Sequence, residues 1–400
     1  MKKLISSIKY IQLNDLISII MFVILLVPSL FYKIYMRILN IKIWLICEDG
    51  RTARDNGYYF YKYVNEKRNK KFRVYYVIDF SSPDYNKLRE MDNIIKFKSI
   101  KHWFFYMIAN YNISNHKNGN PNQPFFYFIH VILKFYDNRV FLQHGITKDD
   151  AEWLYYKNTH FKYFICGAER EFEFISRKFG YPSDRVIYTG FPRFDNLHNI
   201  EIKEKQILIM PTWRNWLGRE TNTLAAKVDF KNTDFYKNWN ALLNDKIFID
   251  FIEKNKYEVI FYPHINMQKY IGEFQFSSKR IKVCNINNTD IQKLLIESKI
   301  LITDYSSVYM DFAYMNKETI YYHFDYEEYR KKQYSSGYFD YLKDGFGPVT
   351  YTKEDTIKEL INLLTSPNNQ YKSRMKNFFK LQDRNNSQRI YDILNKKGDV

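Results

Sequence analysis

The chain holds only three cysteines in 400 residues, Cys47, Cys166 and Cys284, and no Cys-x-x-Cys pair. That scarcity excludes a disulfide framework and a structural zinc site, and it fits a reducing compartment. Cys47 and Cys166 each sit in an apolar, strand-like run and read as small buried hydrophobes, not as nucleophiles. His, Asp and Glu do not gather at a ligand spacing such as His-x-x-x-His, so no metal site within the protein is expected. Internal repeats, low-complexity tracts and any nucleic-acid reader motif are also missing, and the Lys and Arg are spread throughout, which disfavours nucleic acid as a partner.

What is present is a formal charge of +17, with 46% hydrophobic and 19% aromatic residues. The apolar content excludes a disordered chain, and the length predicts two domains of comparable size, each with its own core. The charge points to anionic partners such as a phospholipid surface, a nucleotide or a polyphosphate polymer, although part of it reflects a general bias toward Lys, Asn, Ile and Tyr.

Residues Leu16 to Tyr32 form an uncharged apolar stretch, with Lys2, Lys3 and Lys9 before it and Lys33, Arg37 and Lys42 after. A spanning helix wants about 20 apolar residues, and this run is slightly short and contains Pro28. Positive charge on both sides favours a monotopic, interfacial helix lying on anionic lipid, with a full span and a buried core helix as the alternatives. No small-x-small cleavage site follows, which argues against secretion.

From Ile41 onward, short apolar runs alternate with amphipathic ones. Strands are expected at 41–48, 72–79, 94–97, 139–144 and 161–167, and again at 206–210, 257–262, 281–285, 299–303 and 319–323. Helical patterns occupy 239–254 and 289–297, and a polar helical tail covers 371–396. Alternating strand and helix patterns predict parallel sheets, with ligands at the carboxyl ends of the strands. The expected fold class is α/β: a membrane-associated segment (1–40), a Rossmann-like lobe (41–195) and a second one (196–400), joined near Gly190-Phe191-Pro192-Arg193 and the charged run 201–205.

Four strand ends carry chemistry. Gln143-His144-Gly145 presents a histidine able to take a proton from an attacking hydroxyl near neutral pH. Tyr262-Pro263-His264 offers a second histidine from the other lobe, suited to neutralising a departing phosphate. In Thr303-Asp304-Tyr305-Ser306-Ser307, small hydroxyl residues lead into a helix, where free N–H groups favour phosphate or the serines simply cap. Met210-Pro211-Thr212-Trp213-Arg214 places a hydroxyl and a guanidinium at a strand end, and Arg grips a diphosphate bidentately.

In this order the four motifs resemble those of the CDP-glycerol glycerophosphotransferase family, which builds teichoic acids and some capsules, over residues 44–351. Gly337-Tyr338-Phe339-Asp340 and Gly347-Pro348 are similar to its trailing glycine-rich segment. The resemblance implies a GT-B-like fold with both lobes facing one cleft. It implies His144 and His264 as catalytic residues, and Arg214, Ser306 and Ser307, with Thr212, Thr303 and Asp304 nearby, as the holders of the donor diphosphate. Ile146 stands where many members carry Thr directly after His-Gly, and Ser336 replaces a basic residue. The implied partners are a CDP-polyol donor, a lipid-linked saccharide or polymer acceptor and an anionic membrane surface, at the cytoplasmic face of the cell membrane. No cofactor is implied, since CDP-glycerol is a substrate, and Mg2+ dependence stays open. Transfer from CDP-ribitol, a nucleotide-sugar glycosyltransferase of the same two-lobed shape and a non-enzymatic polymer-binding module are the rival readings.

Overall fold

Apolar runs that do not alternate suit strands covered on both faces, as parallel sheets between helices require. A computed structural model, which describes residues 13–198, 201–218, 229–286, 289–366 and 369–397, arranges thirteen such strands in two sheets. The first holds β1 (Lys42–Ile46), β2 (Phe72–Ile78), β3 (Ile94–Lys96), β4 (Tyr111–Ser114), β5 (Arg139–Phe141), β6 (Tyr163–Cys166) and β7 (Val186–Tyr188), in the order β3-β2-β1-β4-β5-β6-β7. The second holds β8 (Lys203–Met210), β9 (Glu258–Phe261), β10 (Ile281–Val283), β11 (Ser298–Thr303), β12 (Thr319–Tyr322) and β13 (Val349–Thr350), in the order β10-β9-β8-β11-β12-β13. The strand pairs are parallel throughout. Both orders reverse once, between β1 and β4 and between β8 and β11, and such switch points open a crevice beyond the strand ends. The result is the GT-B-like pair of lobes that the motifs imply.

Three strands have no counterpart in the sequence reading: β4, β7 and β13. Tyr-Asn-Ile-Ser of β4 is too short and polar to stand out, yet it is a central strand, with Ile113 and Tyr111 buried. The single helix expected over 239–254 is two, Asp234–Leu243 and Lys246–Lys254, because Asp245 ends the first and caps the second by accepting from the Ile247 N–H at 2.9 Å.

The C-terminal tail also forms two helices, Asn369–Phe378 and Asn386–Lys397. The last one leaves the second lobe. Its Tyr391 ring packs 5.6 Å from Trp44, and Lys42 Nζ donates to the Asn395 carbonyl at 2.9 Å. The unit expected over 196–400 therefore gives up residues 386–397 to the first lobe, where apolar positions 390, 391 and 394 find the face that the sheet of β1 leaves uncovered.

At the N-terminus one helix runs from Leu13 to Ile38, with Pro28 inside it. Tyr32 packs on Phe104 and Phe22 on Phe125, both at 5.4 Å between ring centres, and Asn122 Nδ2 donates to Ser18 Oγ at 2.8 Å. The opposite flank, with Val23, Ile24, Val27, Phe31 and Ile38, is exposed. The segment Ile17–Ile38 is long and apolar enough to cross a membrane. Lys2, Lys3 and Lys9 lie outside the described residues.

Candidate active site

Beyond β5 the chain turns sharply at Gln143, whose φ of +61° is the left-handed region a non-glycine residue rarely occupies. Buried hydrogen bonds hold it there. Gln143 Nε2 donates to the Ile165 carbonyl at 2.7 Å and to Glu171 at 3.0 Å, and Asn56 Nδ2 donates to the Gln143 carbonyl at 2.8 Å. Glu171 also accepts from the N–H groups of Thr147 and Gly167 at 2.5 and 2.7 Å. The turn swings His144 into the cleft, its side chain 69% exposed, a strained residue fixed by its surroundings so as to aim its neighbour.

His144 Nδ1 is hydrogen-bonded to Asp55 Oδ2, so the neutral ring carries its proton on Nδ1 and presents Nε2 to the cleft. Asp55 follows β1 and caps the helix Asn56–Glu66. It also accepts from Asn115 Nδ2 at 2.7 Å and from Arg193 Nη1 at 2.8 Å. The Asp55 charge raises the His144 pKa above the usual histidine value. Burial alone would raise Asp55, but the charges of His144 and Arg193 hold its carboxyl well below the usual range. Beneath it, burial and the Asp55 charge push Glu48 up to about 8 while it accepts from the Asp55 and Tyr58 N–H groups at 2.8 and 3.0 Å. His116, just past β4, lies 5.1 Å from the His144 ring, and burial followed by the His144 charge lowers its pKa.

Arg193, assigned from sequence to the linker, is a pillar of the site. Its Nη1 bonds Asp55 and the His144 carbonyl, both at 2.8 Å, while Nε and Nη2 bond Asp311 of the second lobe at 3.0 and 3.1 Å. The residue is 9% exposed, so the lobes share one buried cation.

In the second lobe the motif residues divide into two groups. Arg214 is fully buried: Nη2 and Nε bond Asp304 at 2.8 Å and Asp325 at 2.7 Å, and Nη1 bonds the Thr212 carbonyl at 2.8 Å. The expected guanidinium at the cleft is thus committed to two carboxylates inside the lobe, since an unpaired buried charge is far costlier than a paired one. Asp304 likewise accepts from the Thr212 and Tyr305 N–H groups at 2.8 and 2.7 Å, and Thr303 Oγ1 bonds the Met210 carbonyl at 2.6 Å, so both shape the β8/β11 switch point from below. Ser306, Ser307 and Thr212 differ. Ser307 precedes the helix Val308–Tyr314 without capping it, neither serine hydroxyl is committed among the described residues, and Thr212 Oγ1 is buried without a partner there.

His264, after β9, uses Nδ1 to accept from the Asn266 N–H at 3.2 Å, which leaves the proton on Nε2. Burial and then the His144 charge lower its pKa to about 4. Both favour a neutral ring that serves the cleft as a hydrogen-bond donor through Nε2. Trp213 stacks 6.1 Å away. A Cβ on Gly145 would come within 2.8 Å of Ser307 Oγ, so the two lobes meet where the histidine and serine motifs face each other.

Asp55, His116 and His144 offer ligand atoms within 4.8 Å of one another, a grouping that spacing along the sequence does not reveal. Arg193, bonded to the same carboxylate at 2.8 Å, sets a fixed positive charge against a cation there.

Residues 30–396 match the family described as CDP-Glycerol:Poly(glycerophosphate) glycerophosphotransferase. The minor teichoic acid biosynthesis protein GgaB of Bacillus subtilis (strain 168) is 32% identical over 362 residues, 88% of this chain and 39% of GgaB. The teichoic acid poly(glycerol phosphate) polymerase of Staphylococcus epidermidis is 24% identical over 363 residues, 87% of this chain and 49% of the polymerase. The chain thus spans less than half the length of these two relatives. Among solved structures, the wall teichoic acid polymerase TagF is similar with a TM-score of 0.59 at 20% identity over 90% of each chain. The UDP-GlcNAc 2-epimerase from Neisseria meningitidis is similar with a TM-score of 0.56 at 12% identity, over 89% of this chain and all of the epimerase. At these identities the structural likenesses speak for the fold, whereas the sequence match extends over nearly the whole chain: it belongs to the CDP-glycerol glycerophosphotransferase family.

Proposed function

We propose that this protein transfers glycerol phosphate from CDP-glycerol to a hydroxyl of a membrane-linked cell-surface glycopolymer, a teichoic acid or capsule, and releases CMP. The observation that carries the reading is the Asp55-oriented His144 beside the meeting point of Gly145 and Ser307, whose hydroxyl is uncommitted among the described residues, in a chain of this family. The acceptor hydroxyl attacks the β-phosphorus in line, its proton passes to His144 Nε2, the bond to CMP breaks, and a phosphodiester forms. Ser306, Ser307 and Thr212 donate to the diphosphate, and His264 donates Nε2–H to a phosphate oxygen as charge builds. Positioning and hydrogen bonding supply the catalysis, with neither covalent intermediate nor cofactor. CMP release measured with CDP-glycerol, CDP-ribitol and a UDP-sugar tests this reading: CDP-glycerol should be turned over fastest, and faster release of UDP would overturn it.

A base must be neutral to act. Because Asp55 raises the His144 pKa, kcat/KM should rise with pH through a value above that of an ordinary histidine, about 6.5. Asp55→Asn should move that limb down toward the ordinary value while lowering the plateau. His264, with its pKa near 4, should add no limb above pH 5, and His264→Ala should lower kcat by about 100-fold or more, as for other lost donors to a developing charge. A His264→Ala enzyme within threefold of wild type would remove that role.

We also infer that the N-terminal helix lies in the membrane surface at the cytoplasmic face. Its contacts with the first lobe run from Ser18 to Met36, about 27 Å of helix at 1.5 Å per residue. Setting it upright in a bilayer would drag the helix Ile100–Ile108, with Lys101 in its first turn and Lys98 just before it, into hydrocarbon. Alkaline carbonate should therefore extract part of the protein from membranes, and complete resistance to extraction would favour a span instead.

A further inference from the structure

A cavity of about 670 Å3 opens at the carboxyl edge of the first sheet, lined by Asp49, Arg51, Phe97, Lys98, Asn118 and Asn120 among others. Its volume falls in the range of small-molecule sites, about 300–1,000 Å3. The segment that forms one wall starts two residues after His116, whose ring lies 5.1 Å from that of His144. The other end of that wall is Asn122, which holds Ser18 of the N-terminal helix. The cavity thus lies between the apolar helix and the site of attack, on the lobe that does not carry the donor motifs.

Its chemistry is mixed in a particular way. Arg51 is exposed and its guanidinium makes no hydrogen bond or ion pair among the described residues, and Lys98 Nζ rests only over the Phe97 ring at 5.5 Å. The Asp49 Oδ1 atom is satisfied locally by the Arg51 and Thr52 N–H groups at 2.8 and 2.9 Å and by Thr52 Oγ1 at 2.9 Å. Asn120 is 4% exposed, and its Nδ2 donates to Gln123 Oε1 at 2.6 Å while its Oδ1 is buried without a donor. The two cations suit a ligand that brings anionic oxygens. An apolar or cationic ligand satisfies neither.

We propose that this cavity is an acceptor subsite that grips a polyol phosphate unit of the growing polymer and sets its terminal hydroxyl toward His144. Arg51 and Lys98 hold the phosphodiester oxygens. The inference rests on the transferase reading above.

Arg51→Ala/Lys98→Ala should raise the KM for a lipid-free oligo(glycerol phosphate) acceptor by about tenfold or more, the effect of losing charged hydrogen bonds. The KM for CDP-glycerol and the slow hydrolysis of CDP-glycerol without acceptor should stay within twofold. Because both basic side chains are exposed, the double variant should keep the wild-type thermal midpoint. Calorimetric binding of the same oligomer reads the cavity without turnover, so an enzyme inactive on CDP-glycerol would sink the transferase reading and leave this measurement standing. Unchanged acceptor KM and oligomer binding in the double variant would overturn the subsite. So would a loss confined to vesicles bearing a lipid diphosphate, which would assign the cations to the lipid headgroup.

Discussion

His144→Ala is expected to lower turnover by about two to four orders of magnitude, the usual effect of removing an acid–base group. The fold should survive, because the ring stands largely in solvent and the strained Gln143 turn is held by Glu171 and Asn56. Asp55→Asn should lose less rate than His144→Ala, since the amide still occupies the cap but no longer fixes the productive tautomer. Stopped assays of CMP formation, with circular dichroism as the folding control, separate the two variants. Near-normal turnover by His144→Ala would end its assignment as the base. A loss in Asp55→Asn equal to that in His144→Ala, accompanied by a lowered thermal midpoint, would make the carboxylate structural.

Arg214→Ala should act on the fold. The change leaves Asp304 and Asp325 facing each other inside the lobe without their cation, and breaking a buried pair in this way costs about 3–5 kcal/mol. The physical reason is that neither carboxylate can reach water to recover its solvation. Denaturant titration should show that loss. Ser307→Ala, by contrast, should leave the midpoint unchanged and raise the KM for CDP-glycerol, because its hydroxyl serves no bond among the described residues. An Arg214→Ala protein that unfolds like wild type but binds CDP-glycerol poorly would mean that the guanidinium turns outward to the donor.

Much of the fold and part of the site can be read from the chain because they are written locally. His144, His264, Thr212, Ser306 and Ser307 each follow an apolar run, and the end of a parallel strand is where a cleft residue belongs. What escapes is tertiary. Asp55 is 89 residues from His144, and in sequence it is one more acidic residue before a helix. Arg193 reads as part of a punctuated linker because Gly190 and Pro192 precede it, and only the meeting of the lobes brings Asp55 and Asp311 to it. The burial of Arg214 depends on carboxylates 90 and 111 residues downstream. Strand β4 hides because half of Tyr-Asn-Ile-Ser is polar, and with it goes His116.

The return of the last helix to the first lobe means that the chain passes between lobes twice, and the two passages touch. Asp195 on the outward passage accepts from the Asn386 and Ser387 N–H groups, both at 2.9 Å, and Arg389 Nε bonds the Thr189 carbonyl at 2.8 Å. Two adjacent crossings define an axle, and any rocking of one lobe on the other turns about it. Arg193 sits two residues from Asp195, so the Asp55–Arg193–Asp311 bridge stands beside that double crossing. The contact between Asp149 and Arg330, at 2.5 Å, is made where the segment after β5 meets the helix Tyr326–Lys332. It joins the lobes through segments other than the two crossings, together with Arg170 and Asp344 at 2.8 Å.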